Sequence, residues 1–155
     1  MTNWESSKHI IEKHGAMTLE VPKPIMKWLR KGAEIARKKG KAANIDLIGH
    51  IREEYYYSGV FSFVIYLKIP YDLKEEESLY PALNHEGHNH TSKFAFVNTN
   101  TLGKIFVQCL AIDKSFEGKI IMFPSEQIHT VFPFYTSDDY RISVSGNIRL
   151  NNETK

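Results

Sequence analysis

Three side chains near the end of the chain have the types and spacing of a small polar site. His129 lies in the apolar segment QIHTVF, and Arg141 and Ser143 lie in YRISV, after the turn YTSDD. A neutral imidazole can bind a divalent metal ion, and a guanidinium can pair with a carboxylate through two parallel hydrogen bonds. Ser143 shares a strand face with Arg141 and can donate to the same carboxylate. Together they indicate a pocket for a metal ion and a small acid.

The same residues also have a purely structural interpretation. His129 would then be a core histidine bonded to the backbone. Arg141 would form a salt bridge with a nearby acid such as Asp138 or Asp139. Spacing alone leaves both interpretations open.

The elements that must position these side chains are strands, which dominate the chain after Tyr55. Short segments rich in β-branched and aromatic residues alternate with turn-forming stretches such as NTNTLG and DKSFEG. The strand segments are GVFSFVIYLKI, KFAFVN, KIFVQCLAI, KIIMF, IHTVFP and YRISVSGNI. Many short strands in succession predict an α+β, mostly β fold: a β-sandwich or jelly roll, also called a double-stranded β-helix. The strands occupy residues 55–150.

A helical lead-in over residues 1–54 precedes the strands, and we expect its helices to pack on one sheet. Residues 22–39 carry apolar side chains at helical spacing, with Pro24 near the start and Gly40 at the end. The opposite face of this helix is basic, which is typical of a solvated surface. A second, shorter helix is predicted over residues 43–54. The whole chain, 1–155, is expected to form a single domain.

Composition excludes several classes of function. The 155 residues carry a formal net charge of only +2, so the sequence predicts neither a nucleic-acid partner nor an anionic membrane surface. No apolar stretch reaches membrane-spanning length, and the polar N-terminus is unlike a secretion signal, so we expect a soluble, cytoplasmic protein. The sole cysteine, Cys109, lies in an apolar strand and is expected to be a buried, inert thiol.

One polar loop is rich in histidine. His85, His88 and His90, with Glu86 among them, lie in the segment LNHEGHNHTS. Imidazoles at this spacing can bind zinc, copper or nickel if the loop folds around the ion. A solvated loop is the alternative, because ordering such a loop costs conformational entropy.

The segment GKIIMFPSEQIHTVFPFYTSDDYRISVSGNI resembles the C-terminal half of the iron(II)- and 2-oxoglutarate-dependent oxygenases, especially a branch of small oxygenases from viral and marine microbial genomes. The shared motif is a strand ending in FPS, a turn, a histidine, a tight hairpin and then Arg-x-Ser. The upstream segments SGVFSFVIYLKIPY, SKFAFVNTNTLGKI and DKSFEGK are also similar. The resemblance therefore covers about residues 58–148.

This resemblance implies a fold, cofactors and residue roles. It implies a jelly roll that binds Fe(II), with His129 as the third iron ligand. It implies 2-oxoglutarate as co-substrate, its far carboxylate held by Arg141 with Ser143 assisting. The implied activity is a dioxygenase of the hydroxylase type, acting on an unidentified substrate. Such enzymes hold iron with two histidines and one carboxylate.

The chain departs from the family pattern at the first iron-binding residues. The family has a histidine and a nearby acid at the start of the strand that here reads SGVFSFV. Tyrosines occupy positions 55–57 instead, and Val60 stands where an acid is expected. The segment GHIREEY also runs directly into this strand, so the chain looks internally shortened. The nearest substitutes are His50 with Glu53 or Glu54, or the His85–His90 loop.

Two classes of function follow. The first is an oxygenase, and the alternative is a catalytically inactive jelly-roll binding module that keeps the fold and the acid-binding arginine. A shortened jelly roll is also expected to expose an unpaired edge or an apolar face near residues 58–66, where another chain could pair.

Overall fold

The computed structural model describes residues 2–13, 16–38, 60–79 and 89–148. The helices are α1 (Asn3–Lys13), α2 (Lys23–Lys38) and α3 (Leu73–Ser78), with a short 3-10 helix at Lys114–Phe116. The strands are β1 (Met17–Glu20), β2 (Phe61–Lys68), β3 (Phe94–Thr99), β4 (Ile105–Leu110), β5 (Lys119–Pro124), β6 (His129–Val131) and β7 (Ile142–Ile148). None of these helices is long and apolar enough to cross a membrane.

The strands form two antiparallel sheets. One has four strands in the order β1-β5-β2-β7, and the other has three in the order β4-β3-β6. Each of the six strand segments predicted from the sequence overlaps one of these strands. The coarse prediction of an α+β, mostly β fold with two sheets is therefore confirmed.

The main core lies between the two sheets and is strongly aromatic. Phe94 and Phe96 of β3 meet Phe123 of β5, with ring centroids 5.1–5.9 Å apart and steep or tilted interplanar angles. Such edge-to-face pairs add to the stabilisation that comes from burying the rings. Trp4 and Ile11 of α1 extend this core at one side. The candidate functional site lies against these rings.

Helix α2 covers the outer face of the four-stranded sheet, as predicted for the lead-in helices. Met26 and Leu29 pack against a second apolar cluster that includes Ile65 and Leu67 of β2. Arg30, on the basic side of α2, donates from Nε to the Leu67 carbonyl at 3.0 Å and pairs with Glu117. Arg30 therefore connects the basic face of α2 to the sheet.

Two expectations need correction. The lead-in is not wholly helical, because β1 pairs along β5 and forms one edge of the four-stranded sheet. The expected unpaired edge near residues 58–66 is wrong for β2, which pairs with β5 on one side and with β7 on the other. The edge strands of the described sheets are β1, β7, β4 and β6. The predicted second helix, 43–54, lies outside the described residues.

Two glycine-to-alanine substitutions should change stability in opposite directions. Gly118 has a φ of +78°, and its N–H donates to the Tyr66 carbonyl at 2.9 Å. Gly118→Ala should therefore cost about 1 kcal/mol, because an L side chain disfavours this conformation. Gly32→Ala should gain up to about 1 kcal/mol, since Gly32 lies in α2 with open space around it. Urea unfolding of both variants tests this; destabilisation of equal size at both sites would contradict it.

Candidate functional site

His129 is the first residue of β6 and lies against the aromatic core. It pairs with Phe96 of β3, so its side chain is on the face of the sheet that carries the core phenylalanines. The imidazole centroid is 4.6 Å from the ring of Phe123 and 5.7 Å from that of Phe94. The residue as a whole is exposed, whereas its ring is flanked by these aromatic groups. The imidazole therefore sits at the open rim of the space between the sheets.

One nitrogen of His129 is already engaged. Nδ1 lies 3.0 Å from the Gln127 carbonyl oxygen, so a neutral ring donates its Nδ1 hydrogen there and keeps the Nε2 lone pair available. Metal-binding histidines are commonly oriented by such a bond from the second ring nitrogen. Burial of the ring lowers the pKa of His129, and the bond to Gln127 opposes this only in part. The neutral form, which binds metals, is thus favoured at neutral pH.

Acidification should destabilise the fold partly through His129. Folding lowers the pKa of His129, so the unfolded chain binds this proton more readily than the folded chain does. The contribution of the neutral ring to the free energy of unfolding is therefore lost as the pH falls below about 6.5. Urea unfolding at pH 7.5 and 5.5 should show a smaller loss for His129→Gln than for the wild type. Equal losses would show that the folded environment does not disfavour the charged ring.

Arg141 precedes β7 and is held by main-chain oxygens. Its Nη1 donates to the carbonyls of Ser92 and Phe132, and its Nη2 also donates to Phe132, all at 3.3 Å. The guanidinium carbon lies 5.5 Å from the centroid of Phe134. Asp139 pairs with Lys68 instead. The structural alternative of a salt bridge from Arg141 to Asp138 or Asp139 is therefore wrong.

The main-chain contacts of Arg141 use Nη1 and Nη2, and the Tyr71 hydroxyl is a further hydrogen-bond neighbour of the guanidinium. No carbonyl or carboxylate oxygen of the described residues accepts a hydrogen bond from Nε. Nε and the outer hydrogen of Nη2 form a planar fork, which matches the two oxygens of a carboxylate. The arrangement can therefore bind an acid without giving up its main-chain contacts.

Tyr71 stands beside this guanidinium, although sequence analysis did not single it out. Its hydroxyl donates to the Ser92 carbonyl at 3.1 Å, and its ring is 4.9 Å from that of Phe134. Burial raises the pKa of Tyr71, while the neighbouring charge of Arg141 opposes the rise. The only signal in the sequence is an aromatic residue directly after the β2 segment. The Ser92 carbonyl thus holds both polar side chains.

Ser143 lies in β7, on the side of the strand that faces the core between the sheets. It pairs with Tyr66 of β2, whose side chain belongs to the core between the sheets. Ser143 is partly buried. The spacing predicted a shared face for Ser143 and Arg141; Arg141 precedes β7 and has no partner in its register, so this stays a prediction.

A buried carboxylate fixes the loop between β6 and Arg141. Glu76 of α3 is 0% exposed and accepts hydrogen bonds from the backbone N–H groups of Tyr135 and Thr136 and from the Thr136 hydroxyl. The bonds from the two Thr136 groups are both 2.6 Å long. The sequence does not distinguish Glu76 from its neighbours in the run KEEES. This contact positions the segment that carries Phe134 and leads to Arg141.

The imidazole and the guanidinium lie toward opposite ends of β6. His129 begins the strand, and the Phe132 carbonyl that receives Arg141 comes directly after its end. Three residues of extended chain separate the two contacts by about 10 Å along the strand. The two candidate groups are thus near one another but not in contact.

The described residues do not fit a complete iron site. Across 2–13, 16–38, 60–79 and 89–148, no three His, Cys, Asp or Glu side chains come together to hold a metal ion. His129 supplies one imidazole, whereas the family pattern needs three ligands. Residues 50–57, His85 and His88 lie outside the described residues. His90 is described, and it lies near Cys109 rather than near His129. These residues therefore do not support an iron-dependent reaction step.

Comparison with known proteins gives one match. No curated protein and no solved structure matches the chain significantly. Residues 48–147 match the model of a family described as "Putative 2OG-Fe(II) oxygenase". This match covers most of the chain, including His129, Arg141 and Ser143. The resemblance seen in the sequence is thereby confirmed, and the chain belongs to this family of 2-oxoglutarate- and iron(II)-dependent oxygenases.

Proposed function

We propose that this protein binds 2-oxoglutarate, or a closely related dicarboxylate, at Arg141 and has little or no oxygenase activity of its own. The observation that carries the proposal is the guanidinium of Arg141, which is held by two main-chain carbonyls and has no carboxylate partner among the described residues. In this proposal the strands form the double-stranded β-helix that the family implies, with the acid between its sheets.

Charge supports an acidic ligand at this place. Arg141 is partly buried, and its acceptors among the described residues are neutral carbonyl oxygens rather than carboxylates. A cation withdrawn from water and left without an anion is costly, so an incoming carboxylate gains both a charge partner and hydrogen bonds. Main-chain carbonyls orient the guanidinium but do not neutralise it.

Two hydroxyl groups lie near this place, and that of Ser143 can assist the same carboxylate. Ser143 follows Arg141 by two residues and faces the core side of β7, opposite Tyr66. Tyr71 lies on the other side, with its hydroxyl bonded to the Ser92 carbonyl that also receives Arg141. The one hydrogen of the Tyr71 hydroxyl is already donated to the Ser92 carbonyl, so Tyr71 would have to give up that bond to donate to a carboxylate. We assign Arg141 the charged contact and Ser143 the supporting one.

The implied iron site has less support than the acid site at Arg141. Fe(II), when bound, would supply the oxidative decarboxylation of 2-oxoglutarate to succinate and carbon dioxide. His129 would be its one ligand among the described residues, with Nε2 as the donor atom. A single imidazole holds Fe(II) poorly against water, and a neutral tyrosine phenol is a poor substitute for the missing ligands. We therefore expect weak iron binding.

An active dioxygenase is the second candidate, and two observations favour it. The family match includes the histidine and arginine positions in their expected order. The bond from Nδ1 to Gln127 also leaves Nε2 of His129 available, as a metal ligand requires. In that case His50 with Glu53 or Glu54, or the His85–His90 loop, would complete the iron site.

One experiment separates the two candidates. The wild-type chain is titrated with Fe(II) without oxygen, mixed with 2-oxoglutarate and exposed to air, and succinate is measured. His129→Ala serves as the control, and calorimetry measures 2-oxoglutarate binding without metal. We expect millimolar or tighter binding and no succinate above the control. Robust succinate that is lost in His129→Ala would establish the oxygenase, and an absence of 2-oxoglutarate binding would refute the acid site.

A further inference from the structure

Strand β4 forms one edge of the three-stranded sheet and has an exposed apolar end. Ile105, Phe106 and Val107 are 66%, 43% and 39% exposed, and Leu102 in the preceding turn is 91% exposed. Edge strands usually avoid pairing with other chains through a charged side chain, a proline or a bulge. β4 has neither a charge nor a proline, and its register with β3 is uninterrupted. The exposed apolar edge that the sequence predicts near residues 58–66 is thus found on β4 instead.

The hydrogen bonds of the sheet show which backbone groups of β4 point away from β3. The Asn100 N–H donates to the Lys104 carbonyl at 3.0 Å, so these two residues form a hydrogen-bonded pair. Such pairs alternate along antiparallel strands, and the Val97 N–H agrees with this alternation because it donates to Ile128, on the β6 side. The β4 residues whose N–H and C=O groups point to the free edge are therefore Ile105, Val107 and Cys109. Within the described part of the chain, no hydrogen bond joins these groups to another residue.

The side chains beside this edge continue the apolar character across the outer face of the sheet. Val107 pairs with Val97 of β3, on the face opposite to the core phenylalanines. Ile128, which is 54% exposed, lies next to Val97 on the other side. Ile105 shares this face with Val107, two residues away along β4. A strand added at the edge would therefore extend both the hydrogen-bonded ladder and this apolar row.

A second copy of β4 fits the edge in the antiparallel direction. With a two-fold axis at Val107, each Val107 faces its counterpart, and each Ile105 faces Cys109 of the second copy. This register gives all the outward groups a partner, whereas a register centred on another residue of β4 leaves some unpaired within the strand. Lys104, directly before β4, would face Leu110 of the second copy. The two Lys104 residues then lie about 20 Å apart along the paired strands, where salt screens their repulsion.

We propose that two copies of this chain associate through β4 and join their three-stranded sheets into one continuous antiparallel sheet, with the two-fold axis at Val107. The occupant of the edge is a strand, because only a strand satisfies the outward main-chain groups in series. β4 has six residues, far fewer than the about 20–30 residues that each side of a standard interface contributes. The association is therefore reversible on dilution. β6 forms the opposite edge of the sheet, so the pairing leaves His129 uncovered and does not depend on the proposed acid site.

Sedimentation velocity of the full-length chain, from low to high micromolar concentration, measures this association. We expect the average mass to rise with concentration from that of one chain toward that of two. Val107→Lys and Val107→Asp should each weaken the association at least about tenfold, because two like charges would face each other at the axis. An equimolar mixture of these two variants should restore it, since lysine and aspartate then face each other.

A proline variant and a matched control complete the experiment. Val107→Pro removes an N–H that points to the free edge and keeps the hydrogen bonds to β3, so it should also weaken the association. It provides the second test should a charged variant unfold, which circular dichroism verifies. Ile148→Lys is the control, because Ile148 is likewise 39% exposed and lies on β7, an edge strand of the other sheet. This variant should associate as the wild type does.

Several results would overturn the proposal. One is a wild-type chain that stays monomeric at the highest concentration. Another is association that survives in the charged variants or in Val107→Pro, or that the mixture fails to restore, since the axis would then not lie at Val107. Equal weakening by Ile148→Lys would show that the effect of the added charge is not specific to β4.

Discussion

Arg141→Lys should weaken 2-oxoglutarate binding at least tenfold. Lysine keeps the positive charge but has no planar fork, so it cannot hold a carboxylate through two parallel bonds. It also cannot reproduce the paired contacts of Nη1 and Nη2 with the Phe132 carbonyl. The ammonium is therefore both less directional and less well positioned. Calorimetry with 2-oxoglutarate at millimolar concentration measures the loss.

Arg30→Lys is the matched control for this experiment. Arg30 also bonds a main-chain carbonyl, that of Leu67, but it lies on α2 at the outer face of the four-stranded sheet. The Arg30 variant should bind 2-oxoglutarate as the wild type does. Equal weakening in both variants would point to a general effect of charge or stability, and the assignment of the acid site to Arg141 would fail.

Glu76→Ala should destabilise the protein by about 3 kcal/mol, a large part of the roughly 5–15 kcal/mol typical of a domain. The carboxylate is fully buried and accepts from the backbone N–H groups of Tyr135 and Thr136 and from the Thr136 hydroxyl. Alanine leaves these donors without their acceptor and opens a cavity between α3 and the loop. Chemical denaturation measures the change in the free energy of unfolding.

The neighbouring residue provides the comparison. Glu75 is exposed on the same helix, so Glu75→Ala should change stability by no more than about 0.5 kcal/mol. Glu76→Ala should also weaken 2-oxoglutarate binding, because the loop that it releases leads to Arg141. If Glu75→Ala and Glu76→Ala unfold at the same denaturant concentration, the buried carboxylate does not have the structural role assigned to it.

Strands with clear patterns were predictable from the sequence, and so was helix α2. Their apolar residues recur with the period of the element, and turn residues separate them, so local information is sufficient. The short elements β1 and α3 were not predicted as a strand and a helix. β1 has only four residues and exists as a strand through its pairing with β5, far away in the sequence. A partner strand so distant in the sequence leaves no signal in the residues of β1 themselves.

The candidate site was predictable in its residue types and not in its surroundings. Histidine and Arg-x-Ser stand out in apolar strands, and the register places Ser143 opposite Tyr66 of the core. Sequence could not show that Phe94 and Phe123 flank the imidazole, because these rings come from other strands. The sequence also could not distinguish Glu76 from the other acidic residues of its run, because the burial of Glu76 depends on which part of α3 faces the loop.

The carbonyl acceptors of Arg141 have a consequence for how this chain tolerates substitution. Every amino acid supplies a main-chain oxygen, so changes at Phe132 alter the side chain while leaving the acceptor atom itself in place. Metal ligands are side chains, and each is lost with a single substitution. Under random mutation, an arginine anchored in this way should outlast an iron centre, and acid recognition is the property that we expect diverged copies of this fold to retain.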